Sequence, residues 1–286
     1  MSGGVVVTGG QGRLGRLIVH DLRATGVRTR SFGRSAGAHE DDVTVDLRDA
    51  EAVVHEMSRA APDVILHLAA VRTGGNVESD NALLDAAVVS AARHVRPTQV
   101  VQISSAAVYG TSTVTGFTEG APLRPAAGYA ASKAAGEQRF RQLADDVSGV
   151  AVTVLRVFNV AGPSFPDSLV TKLLRASPAR PVPIFAPDTF IRDYIHQWDV
   201  IAAVRAAMAT AAGFRIINVG SGVPVSTNLL LELLGVHASH VVHVPGDGSA
   251  SWADVSRIRS ELRLEPQAPP SRDWALATLP GRDATK

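Results

Sequence analysis

The 286-residue sequence contains no cysteine, so disulfides, thiolate nucleophiles and cysteine metal sites are excluded. It has almost no net charge: 28 Lys and Arg stand against 27 Asp and Glu, giving +1. A dedicated nucleic-acid binder shows a basic stripe or tail, so no nucleic-acid partner is expected. No apolar run reaches the roughly 18 residues that span a bilayer, so no membrane partner is expected either. No basic stretch precedes Val5-Val6-Val7, which argues against a secretion signal and for a cytoplasmic protein. The histidines lack ligand spacing, so no metal is expected; His67 and His196 are expected to pack beside a sheet. There is no internal repeat. What the chain does have is 45% hydrophobic and 19% charged residues, enough for a sizeable core.

The first two-thirds alternates strand-like and helix-like segments. Val5–Val7, Val27–Phe32, Val43–Val45, Val64–Leu68, Val100–Ser104 and Val152–Val157 read as strands. Leu14, Leu17, Ile18 and Leu22 recur at helical spacing, and Gly26 falls where that helix would end. Ala82–Val95 and Ala130–Ala144 read as further helices. The alternation predicts an α/β fold, a doubly wound parallel sheet of Rossmann type with a smaller C-terminal substrate-binding domain. After Val160, six prolines between Pro163 and Pro187 break the pattern. A helix (Asp199–Ala211) and a strand (Ile216–Val219) then return to it. Two short helices and a proline-rich tail (Pro266, Pro269, Pro270) are expected at the end. The expected division is a dinucleotide-binding domain of residues 1–162 plus about 197–222, and a substrate domain of about 163–196 plus 223–286. Helix Ala82–Val95 is apolar nearly all round, which calls for a second cover beyond the sheet. A partner subunit, hence a homodimer, is the expectation; deep burial within one chain is the alternative.

Thr8-Gly9-Gly10-Gln11-Gly12-Arg13-Leu14-Gly15 follows the first strand and opens the first helix. Gly9 permits a tight turn, Gly12 lets backbone approach a pyrophosphate, and Gly15 lets helix pack on strand. The helix amides then face phosphates. Arg13 either adds charge to this pocket or occupies a surface helix position. An acidic residue after the second strand would bind the adenosine ribose and repel a 2′-phosphate. Gly33 stands there instead, followed by Arg34 and Ser35. A guanidinium and a hydroxyl suit a phosphate, so NADP(H) is favoured over NAD(H), unless Arg34 is merely a solvated loop residue. Asp46-Leu47 follows the third strand, where the carboxylate either meets the adenine amino group or caps a helix.

Tyr129 and Lys133 stand four residues apart and share a face if a helix starts there. A phenol has a pKa of about 10, and a neighbouring ammonium favours its ionised form. Ser104-Ser105 ends an apolar strand, placing a hydroxyl at the sheet edge where such folds bind ligands. Ser105 is either a substrate-orienting hydroxyl or a turn residue.

Together these motifs resemble the extended short-chain dehydrogenase/reductases. The likeness runs through Thr8–Gly15, His67-Leu68-Ala69-Ala70, Asn81, Ser104–Gly110, Tyr129-x-x-x-Lys133, Leu155–Pro163 with Asn159, and Arg192-Asp193-Tyr194-Ile195-His196. The resemblance implies an NAD(P)-dependent oxidoreductase. It implies that Tyr129 is the general acid–base, Lys133 holds the nicotinamide ribose and tunes Tyr129, and Ser105 binds the reacting oxygen. Leu68, Ala69, Ala70 and Ser104 would border the cofactor. Asn81, opening a helix, would support the proton path, and Asn159 would lie where the two pockets meet. Arg192 would clamp the diphosphate of a nucleotide sugar or pair with Asp193. Val244-Pro245 stands where epimerases of this kind carry a second arginine. Ala106-Ala107 replaces the Thr and acid of the 4,6-dehydratases. The expected activity is NADPH-dependent reduction of a nucleotide-linked 4-keto-6-deoxy sugar. An NAD-dependent nucleotide-sugar epimerase is the alternative. A non-catalytic dinucleotide sensor is disfavoured by the Tyr129–Lys133 pair.

Overall fold

A computed structural model describes residues 4–111, 115–267 and 270–276. Pro269 lies outside the described residues. The chain divides into two compact units: Met1–Gly110, Pro122–Arg156 and Val204–Ile217 form one, and Thr111–Ala121, Val157–Ala203 and Asn218–Lys286 the other. The sequence division drew its boundaries after residues 162, 196 and 222, and left Thr111–Ala121 with the dinucleotide domain.

In chain order the elements are β1 (Gly4–Thr8), α1 (Arg13–Ala24), β2 (Thr29–Gly33), β3 (Asp42–Thr44), α2 (Ala50–Ala60), β4 (Pro62–His67), α3 (Val77–Val95), β5 (Gln99–Ser105), α4 (Tyr129–Asp146) and β6 (Ala151–Val157). There follow β7 (Asn159–Ala161), α5 (Leu169–Leu174), β8 (Val182–Ile184), β9 (Phe190–Arg192), β10 (Tyr194–His196), α6 (Gln197–Ala209) and β11 (Phe214–Val219). The last are β12 (Val225–Ser226), α7 (Thr227–Leu234), β13 (Val241–His243), β14 (Ser249–Ser251), α8 (Ser256–Leu262) and α9 (Arg272–Leu276).

Seven strands form one sheet in the order β11-β6-β5-β4-β1-β2-β3. β1 pairs in parallel with both β2 and β4, β2 with β3, and β4 with β5. The chain runs outward from β1 to β3, then returns to the other side of β1. That reversal makes the switch point of a doubly wound Rossmann sheet, where ligands bind at the carboxyl ends of the strands. Every residue of β1 and β6 is buried, as strands covered on both faces require.

One core joins Val6, Phe32, Ile65, Val100 and Val152 of the strands to Val53, Met57, Leu84, Val88 and Phe140 of α2, α3 and α4. Helix α2 was not expected. Its signals are the Asp49 cap, which accepts from Ala52 N, and buried Val53, Met57 and Ala60 one to two turns apart. Helix α3 begins at Val77, after the Asn76 cap, so Asn81 lies in its second turn rather than at its start. Its polar first turn, Val77-Glu78-Ser79-Asp80, hid the beginning. Leu84, Ala87, Val88, Val89, Ala91 and Ala92 are buried within this chain, with α2 and α4 as neighbours, and Leu83 remains half exposed. The cover expected from a second subunit is thus supplied mostly by the chain itself.

The second unit is built from short pieces. β9 pairs antiparallel with β12 and parallel with β14, β8 pairs with β13, and β7 with β10. Val170, Leu173, Tyr194, Val225, Leu230 and Leu234 form its core. Ser168 and Ser226 cap α5 and α7. Among the described residues the final segment holds three short α-helices, α7, α8 and α9, where two were expected.

Candidate active site

The glycine turn leaves β1 at Gly9, whose φ is +73°. A Cβ there would come 2.7 Å from Ala69 N, so glycine is what allows the turn to lie against the strand end at Leu68-Ala69. A Cβ on Gly15 would collide with Gly9 O. Gly12 is different: its Cβ direction meets only Gly9 O, at 3.2 Å, and is otherwise open. Gly12 also begins α1 without any side-chain cap, whereas α2, α3, α5 and α7 each have one. The turn therefore offers backbone amides beside open space, which fits a pyrophosphate. Leu14 is partly buried on this first turn and Arg13 is exposed.

The adenosine edge shows what stands in place of a carboxylate. A Cβ on Gly33 would come 2.7 Å from Gln11 Cδ, so the Gln11 amide fills that place. Gln11 Oε1 accepts from Ser35 N at 3.2 Å, and its Nε2 donates to Ser35 O. Arg34 and Ser35 are exposed. Asp46 accepts from Arg48 Nη2 at 2.7 Å, and this bond, with the Arg48 backbone N–H and the charges of Arg48 and Arg34, holds its carboxyl down at about 2. Asp46 caps no helix, since Asp49 does so. Leu47 is buried in the core, which leaves only its backbone for a ligand.

Tyr129 opens α4 and Lys133 follows one turn later, as the spacing predicted. Lys133 Nζ lies 5.9 Å from the Tyr129 ring centroid. It donates to Ile103 O at 3.0 Å, tying the helix to β5 two residues before Ser105. Ser105 is half-buried, and its Oγ accepts from Ala107 N at 3.2 Å, so it is also a turn-forming residue. Ser104 is buried, and its hydroxyl donates to Glu137 Oε1 at 2.5 Å. Glu137 itself is paired with Arg156 at 2.6 Å, both nearly inaccessible, and Arg156 Nη1 donates to Tyr109 Oη at 2.8 Å. Burial works against the Arg156 charge, but Glu137 outweighs it and raises the guanidinium pKa. This network locks α4 to β5 and β6. Asn81 Nδ2 donates to Val71 O (2.9 Å) and Ser132 Oγ (2.8 Å), while its Oδ1 accepts from Val71 N (2.7 Å). It braces the segment after β4 against α4.

His67 is fully buried at the end of β4, bridging Thr8 Oγ1 (2.7 Å) and Asp85 Oδ1 (2.8 Å). Ala70 is half-buried just beyond it. Sequence reasoning missed Arg72, whose guanidinium carbon lies 5.3 Å from the Tyr129 ring centroid, and Glu78, whose carboxylate accepts from Gly128 N at 2.6 Å. Glu137, one turn beyond Lys133, was the one missed residue with a positional signal.

Asn159 and Arg192 belong to the second unit. Asn159 Nδ2 donates to Asp193 O at 2.9 Å. Arg192 does not pair with Asp193. Its guanidinium stacks 3.7 Å from the Phe190 ring centroid and donates to Ser249 O and Oγ, both at 2.8 Å. Asp193 is fully buried and accepts from Ser221 N and Oγ, Gly222 N and Ala253 N. Burial pushes its carboxyl up, against those bonds. His196 is buried too, and burial alone pulls its imidazole down to about 4.

A doubly wound sheet with a glycine turn, a strand-end serine and a Tyr–Lys helix defines an oxidoreductase-type enzyme of the extended short-chain dehydrogenase/reductase kind. Residues 5–220 match the family described as "NAD dependent epimerase/dehydratase family", and the chain belongs to it. It is 31% identical to the UDP-glucose 4-epimerase of Mycolicibacterium smegmatis, over 92% of this chain and 93% of that one. It is 32% identical to a dTDP-glucose 4,6-dehydratase of Streptomyces griseus, over 76% of this chain and 67% of the relative. Among solved structures, MoeE5 in complex with UDP-glucose and NAD superposes with a TM-score of 0.82 at 26% identity, covering 96% of each chain.

Proposed function

We propose that this protein interconverts a hydroxyl and a ketone on the sugar ring of a nucleotide sugar, with Tyr129 passing the proton. The observation that carries the proposal is Tyr129 at the head of α4, with Lys133 beside its ring and tied to the strand that ends in Ser105. When bound, a nicotinamide dinucleotide supplies the hydride acceptor or donor; the glycine turn from Gly9 to Gly15 would hold its pyrophosphate. Lys133 would hold the nicotinamide ribose and favour the phenolate. Ser105 would hydrogen-bond the reacting oxygen once its Oγ turns from Ala107 N. Arg192 would reach a diphosphate by exchanging its bonds to Ser249.

Reduction with NADPH is favoured by the β2 edge, where a neutral amide replaces the carboxylate and Arg34 and Ser35 are exposed. Epimerisation with retained NAD is the second reading, favoured by the epimerase that is 31% identical over nearly its whole length. Assay against nucleotide-linked hexoses and 4-keto-6-deoxy hexoses separates them. Net NADPH consumption, with Arg34→Ala weakening NADPH about tenfold more than NADH, supports reduction. Interconversion of two sugar epimers without net cofactor consumption supports epimerisation. Binding of cofactor with no turnover of any nucleotide sugar would overturn both.

A further inference from the structure

We propose that Arg72 is a positioning residue for proton transfer, its guanidinium acting with Lys133 to hold negative charge on the Tyr129 oxygen. This rests on Tyr129 being the acid–base. Arg72 and Lys133 lie 5.3 and 5.9 Å from the same ring centroid, one from the segment after β4 and one from α4. Arg72 is exposed, yet its place is built. The preceding residue, Val71, has both its N–H and its C=O held by Asn81. Asn81 in turn donates to Ser132 Oγ, and Ser132 Oγ donates to Tyr129 O at 2.8 Å. The segment carrying Arg72 is thus fastened to the helical turn that carries Tyr129, and this gives buried Asn81 its purpose. Gly74 and Gly75, with φ of +82° and +44°, then turn the chain toward α3.

Charged groups at or beside Tyr129 include Arg72 from this segment, Lys133 from its own helix, and Glu78 from α3, whose carboxylate is engaged by Gly128 N. A guanidinium keeps its charge at every working pH. In the oxidative direction the substrate O–H proton moves onto the phenolate oxygen as the carbon's C–H electron pair leaves with its hydrogen to the nicotinamide. In the reductive direction the phenol returns that proton. A cation beside the ring favours the phenolate side of each exchange.

The test uses the full chain with 13C-labelled tyrosine. There are three tyrosines, and Tyr109 and Tyr194 are buried, so Tyr129→Phe identifies the third signal. In enzyme without substrate, Arg72→Gln is expected to move the Tyr129 titration upward by about half to one pH unit, and Arg72→Lys to restore most of it. The limb of the pH–kcat profile that depends on phenolate should move by the same amount. That is a fall in kcat of about three- to tenfold below the midpoint, with KM within about twofold. An unmoved Tyr129 titration would overturn the proposal. So would a rise in KM of about tenfold or more with kcat unchanged, which would make Arg72 a substrate clamp instead. The titration reads the proposal even if the substrate assignment fails, so the two failures are distinguishable.

Discussion

The two units bury charge in opposite ways. In the first, Glu137 meets Arg156 in a buried ion pair, to which Ser104 and Tyr109 are hydrogen-bonded. In the second, Asp193 is buried as deeply but is held by backbone N–H groups of Ser221, Gly222 and Ala253 and by the Ser221 hydroxyl. An ion pair joins elements that are already regular, here α4 and β6. A carboxylate surrounded by backbone donors does something else: it gathers loops and short strands that have no ladder of their own. The unit that carries the proposed chemistry is braced by charge neutralisation, and the unit of short strands by hydrogen-bond donors.

The difference can be broken by mutation. Glu137→Ala leaves the Arg156 guanidinium buried and uncompensated, which costs about 3–5 kcal/mol. Denaturant melts should show that loss together with weaker cofactor binding, because α4 is no longer locked to β5 and β6. Asp193→Ala orphans four donors and should cost about 3 kcal/mol, with cofactor affinity within about twofold. Equal losses of cofactor affinity in both variants would erase the comparison.

A smaller effect follows from His196, also in the second unit. Its imidazole is pulled to about 4 from 6.5 by burial, so the folded form holds it neutral while the unfolded chain protonates near 6.5. Its contribution is fully present above pH 6.5 and is lost as pH falls toward about 4, up to about 3 kcal/mol. His196→Gln should flatten the dependence of the melting temperature on pH in that window. An equally steep dependence in the variant would assign the acid sensitivity to other groups.

Legibility in the sequence followed the range of the interactions. The glycine turn, Ser105 and the Tyr129–Lys133 spacing are set by a few consecutive residues, so they could be read directly. The doubly wound sheet was legible for the same reason, since each βα step repeats a local pattern. The second unit was not, because its strands are two or three residues long and pair across distance, as Ser249–Ser251 does with Phe190–Arg192. Arg192 looked like an arginine awaiting a ligand or an Asp193 partner; its bonds to Ser249 depend on that same non-local pairing. Arg72 carries no motif, and the segment that brings it to Tyr129 is held through the non-local bonds of Asn81 to Val71.

The most direct measurement is the turnover of Tyr129→Phe against the parent enzyme on the substrate found by the assay panel, with cofactor affinity measured alongside. A fall in kcat of about a thousandfold with the cofactor Kd within about twofold is the expected result. Retention of a third or more of the parent kcat would show that the phenol does not carry the proton.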